Sequence, residues 1–87
     1  MKAIKTLIDA ALNGAATAFS GNHCFKRIPG ENKVVFYYHG NPVCVLNFDT
    51  KSFKLDHCGY KTSSTARTLN AYRDELTARG FTCEQVK

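Results

Sequence analysis

Eighty-seven residues, 44% of them hydrophobic and 22% charged, suffice for one hydrophobic core and not for two. The chain therefore reads as a single domain over 1–87 rather than a disordered or multi-domain protein. Twelve Lys and Arg against seven Asp and Glu give a formal net charge of +5, spread along the chain without a polybasic run, which favours nucleic acid or an acidic protein face as partner.

Ile4, Leu7, Ile8, Ala11 and Leu12 recur at helical spacing while Lys2, Lys5 and Asp9 lie off the stripe, which predicts an amphipathic helix over 2–12. Asn13-Gly14 is its expected stop. Ala15 to Phe19 reads either as an extension of that helix or as a loop towards Ser20-Gly21-Asn22. From His23 the pattern becomes strands between turns. The first strand covers His23 to Ile28, and Pro29-Gly30-Glu31-Asn32 is a turn by composition. Val34 to His39 is β-branched and aromatic throughout, so it reads as a strand with both faces partly covered. Gly40-Asn41 fits a tight hairpin, with Pro42 entering the next strand, 43–48. After the turn Asp49-Thr50-Lys51-Ser52, the residues Phe53, Leu55 and His57 alternate with Lys54, Asp56 and Cys58 in a fourth strand.

A second helix is expected over 64–79, with Ala66, Leu69, Tyr72 and Leu76 as its apolar stripe. Gly80 falls where a left-handed C′ residue ends a helix, placing Phe81 against Leu76. A short strand, Thr82 to Val86, follows. This order predicts an α+β fold: an antiparallel sheet of about four to five strands with an N-terminal and a C-terminal helix packed on one face.

The candidate chemistry concentrates between Gly59 and Arg73. Thr62, Ser63, Ser64, Thr65 and Thr68 all carry hydroxyls, more than one helix cap needs. A helix N-terminus attracts phosphate or carboxylate, and Lys61 and Arg67 flank this one with positive charge. The alternative is an ordinary N-cap with the remaining hydroxyls in water. Arg67, Asn70 and Arg73 read as a face able to touch bases or phosphates, blunted by Asp74 and Glu75, or simply as a solvated helix face. Tyr37, Tyr38, Tyr60 and Tyr72 are candidates to stack on bases or anchor a protein surface, Tyr60 foremost, or else simply close the edge of the core. The expected partner- or anion-binding set is thus Tyr60, Lys61, Thr62, Ser63, Ser64, Thr65, Arg67, Asn70 and Arg73.

His23-Cys24 and His57-Cys58 are adjacent pairs whose side chains point to opposite faces of a strand, so neither chelates a metal. Cys24, Cys44, Cys58 and Cys83 include no C-x-x-C pair and read as reduced, mostly buried side chains, with two crossed disulfides as the alternative. Asp56 beside His57 is the one carboxylate placed to orient a Cys–His nucleophile, and nothing marks a particular cysteine as activated. No catalytic residue, metal, cofactor or small-molecule substrate is expected. Asp9 interrupts the first apolar run short of a signal peptide, and no stretch reaches the roughly 18 apolar residues of a membrane span, so no membrane association is expected.

With these residues in view, the chain resembles a widespread set of small tailed-phage proteins that carry an H-G-N hairpin followed by G-W-x-T-x-T-T-x-x-R-L-N at a helix start. Here the hairpin is His39-Gly40-Asn41, and the later motif runs through Gly59, Tyr60, Thr62, Ser64, Thr65, Leu69 and Asn70, within a similarity over residues 34–72. Tyr60 stands in place of the tryptophan. Thr68 stands in place of the arginine, with Arg67 one residue earlier, which turns the cation by about 100° around the helix. The resemblance implies phage origin, action in the host cytoplasm, and non-catalytic inhibition of a host protein or ribonucleoprotein, such as a defence complex in the manner of an anti-CRISPR. The alternatives are a small basic nucleic-acid-binding module acting through residues 60–73 and, more remotely, a small nuclease.

Overall fold

In the computed structural model, which describes residues 2–59 and 62–86, the stripe Ile4, Leu7, Ile8 and Ala11 is buried along α1 (Lys2–Leu12). Leu12 lies off it, 41% exposed. The strands are β1 (Thr17–Ser20), β2 (His23–Arg27), β3 (Lys33–Tyr38), β4 (Asn41–Asn47) and β5 (Ser52–Leu55). Helix α2 (Ser63–Ala78) and strand β6 (Thr82–Val86) complete the chain. All six strands form one sheet in sequence order, antiparallel from β1 to β5 and parallel between β5 and β6.

The α+β class holds, with a helix near each end, but the sheet differs from expectation in two ways. It has a sixth strand because Thr17–Ser20 pairs with β2 instead of extending α1. Gly14, at φ 92, ends α1, and Thr17 Oγ1 donates to the Phe25 carbonyl at 2.7 Å. The sheet is mixed because α2 carries the chain over the sheet and returns it beside β5 in the same direction, the crossover that a parallel pair requires.

Both helices cover one face. Phe25, Phe36, Leu46 and Phe53 point inward from four neighbouring strands onto Ile4, Leu7, Leu69, Tyr72 and Leu76. The rings of Phe25 and Phe36 lie 5.7 Å apart, and those of Phe36 and Tyr72 4.9 Å apart. Arg27 links α1 to the sheet: its guanidinium donates to the carbonyls of Ala11 (2.7 Å) and Ala15 (3.2 Å), where a helix end carries negative partial charge. Arg79, the C-cap of α2, pairs with Asp9 on α1. At the end of α2, Gly80 (φ 91) donates to the Thr77 carbonyl and Phe81 to the Leu76 carbonyl, the double bond of a Schellman stop.

The remaining corrections are local. The β3–β4 hairpin turns on His39 and Gly40, one residue earlier than expected, with φ of 50° and 80° at the two central positions and Tyr38 opposite Asn41. Positive φ at both centres is the geometry that matches strand twist. Next to it the register shifts between Phe36 and Tyr37, leaving Val43 as a buried extra residue in β4. Strand β5 stops at Leu55, before His57, because the Asp56 carboxylate accepts from the Cys58 backbone N–H at 2.8 Å and Cys58 and Gly59 take positive φ. All four cysteines are free, but only Cys44 is buried; Cys24, Cys58 and Cys83 are half-buried.

Candidate functional site at the start of the second helix

Thr62 is the N-cap of α2, in extended backbone, and its Oγ1 accepts from the Thr65 N–H at 3.2 Å. The same hydroxyl donates to Thr65 Oγ1 at 3.1 Å. Thr68, fully buried, donates to the Ser64 carbonyl one turn back at 2.9 Å. The apparent excess of hydroxyls is therefore largely absorbed by the helix: Thr62 caps it, while Thr65 and Thr68 are buried against the sheet. Ser63 and Ser64 remain at the surface. Their backbone N–H groups, in the first turn, have no acceptor within the helix and carry its positive end.

Ser64 does more than face water. Its Oγ accepts from the Tyr38 hydroxyl at 3.1 Å, across 26 residues of sequence. That bond closes one side of a cleft of about 330 Å³ between the β3–β4 hairpin and the start of α2, lined by Tyr38, His39, Asn41, His57, Thr62 and Ser64 among others. The Tyr38 ring is held in turn. His23 stacks on it at 4.8 Å and 17°, and the His39 ring lies 4.3 Å away, tilted by 51°. Burial, and secondarily the nearby His39, hold the His23 imidazole below its usual range. The cleft thus combines two imidazoles, a phenol, an amide, three aliphatic hydroxyls and the positive end of a helix. These are groups suited to contacting acceptor-rich or acidic surfaces.

Of the expected site residues, Thr62, Ser64 and Thr65 line this cleft, and Ser63 is exposed beside it. Arg67, Asn70 and Arg73 are exposed along α2 outside the lining, and Arg73 lies 3.6 Å from the Asp74 carboxylate. Tyr60 and Lys61 lie outside the described residues. The expected binding set did not include Tyr38, His39, Asn41 and His57, which the cleft adds. Among the described residues no three His, Cys, Asp or Glu side chains are grouped to hold a metal ion, and no helix is long and apolar enough to cross a membrane. Comparison with protein-family models, curated proteins and solved structures finds no match to this chain.

Proposed function

We propose that this chain is a non-catalytic phage protein that acts in the host cytoplasm by binding a host protein or ribonucleoprotein, such as a CRISPR-type defence complex, and blocking it. The observation that carries the reading is convergence. The two motifs behind the phage resemblance, distant in sequence, contribute His39 and Asn41 on one side and Thr62, Ser64 and Thr65 on the other to a single cleft. Donor groups gathered there, on a domain of net charge +5, favour encounter with an acidic partner surface.

The test is affinity capture from host lysate, with and without nuclease, using the parent protein and a His39→Ala/Ser64→Ala variant, followed by an activity assay of the captured complex. The reading expects a partner that survives nuclease, is inhibited when bound, and binds the variant at least about fivefold more weakly, the loss typical of an interface anchor. Capture abolished both by nuclease and by Arg67→Ala/Asn70→Ala would replace it with the alternative, a nucleic-acid-binding module acting through residues 60–73, in which the exposed Arg67 and Asn70 are the available contacts.

A further inference from the structure

The face of the sheet turned away from the helices carries a second surface. Phe19 in β1 lies opposite Cys24 in β2, and Cys24 opposite Tyr37 in β3, so these three share one face. Lys26 lies opposite Val35, Val35 opposite Val45, and Val45 opposite Lys54, which extends that face to β5. Lys33 joins it, two residues before Val35. The alternating partners Phe25, Phe36, Leu46 and Phe53 point the other way, into the core. Phe19 is 74% exposed, an unusual position for a phenylalanine on a small domain. Tyr37 is half-buried, roughly 10 Å away at two strand spacings, with only the short Cys24 side chain between them.

The charge on this face is mainly positive. Lys26 holds its ammonium over the Tyr37 ring at 5.9 Å. Lys33 and Lys54 have carboxylates at 3.7 Å (Glu31) and 4.0 Å (Glu84), exposed pairs of little strength that an incoming anion can displace. A second copy of the chain is a poor occupant, because a two-fold contact would bring two copies of this mainly positive face together. Two aromatic rings standing on an open sheet, with the ammonium groups of Lys26, Lys33 and Lys54 all along one side of the row, match unstacked bases whose phosphates run along that side. A duplex keeps its bases stacked inside and offers the rings nothing.

We propose that this outer sheet face binds single-stranded nucleic acid, with bases stacked on Phe19 and Tyr37 and phosphates beside Lys26, Lys33 and Lys54. The surface is separate from the cleft at the start of α2, so this proposal stands or falls independently of the partner proposed there.

The test is fluorescence anisotropy of the full chain with short labelled oligouridylate, oligothymidylate and a duplex of equal length, from about 50 to 200 mM salt. The expected result is binding of the single strands in preference to the duplex. The slope of log K against log salt should be near −2, from about −0.7 for each of three phosphate contacts. Phe19→Ala should weaken binding at least about fivefold, the lower range for losing one stacked base, with an unchanged melting temperature because the ring is exposed. Lys26→Ala should make the slope shallower by about 0.7. Absence of single-strand binding at about 50 mM salt, equal binding of duplex, or Phe19→Ala binding as tightly as the parent would each overturn the proposal. Phe19-dependent dimers in sedimentation without oligonucleotide binding would overturn it in favour of self-association.

Discussion

The Tyr38 hydroxyl donates to Ser64 Oγ at 3.1 Å, and this one bond joins the tip of the β3–β4 hairpin to the first turn of α2. It is an exposed contact between neutral groups, so its net contribution to stability is about 1 kcal/mol or less. Its consequence is positional: it fixes the phenol and the serine on the two banks of the cleft.

Tyr38→Phe is therefore expected to separate stability from binding. The melting temperature should fall by at most about 8 °C, the shift for 1 kcal/mol in a domain of this size. Binding of the captured partner should weaken beyond what that loss explains, because the hairpin is no longer tied to α2. A variant that melts and binds as the parent does would mean the bond does not organise the cleft.

Gly80→Ala should destabilise the fold by about 1 kcal/mol or more. Gly80 has φ 91 and open space where a Cβ would stand, so the cost is backbone strain and not collision. Gly80→Asn should cost less, since asparagine tolerates left-handed backbone better than alanine. Denaturant titration of the two variants ranks them, and equal loss would contradict the backbone explanation.

Tyr72 is fully buried, and its hydroxyl meets no hydrogen-bond partner among the described residues. Burial, with smaller contributions from Cys44 and Cys24, pushes its ionisation far above the ordinary tyrosine range. Removing an unsatisfied buried hydroxyl relieves a desolvation penalty, so Tyr72→Phe should be neutral or stabilising by up to about 1 kcal/mol. Calorimetric melting is the check. A clear loss of stability would show that the hydroxyl has a partner in solution.

His23 supplies the pH dependence. Its folded-state pKa is depressed, by burial first and by His39 second, so the unfolded chain binds the proton more readily than the folded one. Stability should be undiminished above the ordinary histidine value near 6.5 and should fall as pH drops below it, levelling off below the folded-state pKa. His23→Phe, which keeps a ring against Tyr38, should flatten that part of the profile. Parallel melting curves for parent and variant across mildly acidic pH would count against His23 as the source.

Both helices and the stop at Gly80 were legible in the sequence because helical bonding is local. The spacing of Ile4, Leu7, Ile8 and Ala11 determines which face of α1 is buried, and Gly80 with Phe81 ends α2 through bonds reaching back only a few residues. The turn chemistry from His39 to Asn41 was legible to within one residue for the same reason. Strand β1 was not, since Thr17-Ala18-Phe19-Ser20 has little preference of its own and becomes a strand only because the edge of β2 is there to pair with it. The parallel direction of β6 likewise depends on where α2 returns the chain, which no local pattern encodes. At the candidate site, hydroxyls that counted equally in the sequence were divided by packing into a cap at Thr62, core positions at Thr65 and Thr68, and a surface contact at Ser64. Local periodicity determined both helices, most of the strands and their apolar faces. Contacts between distant segments, set by sheet pairing and helix packing, decided that Tyr38, His39 and His57 share a cleft with Ser64 and that Phe19 and Tyr37 stand together on the open face.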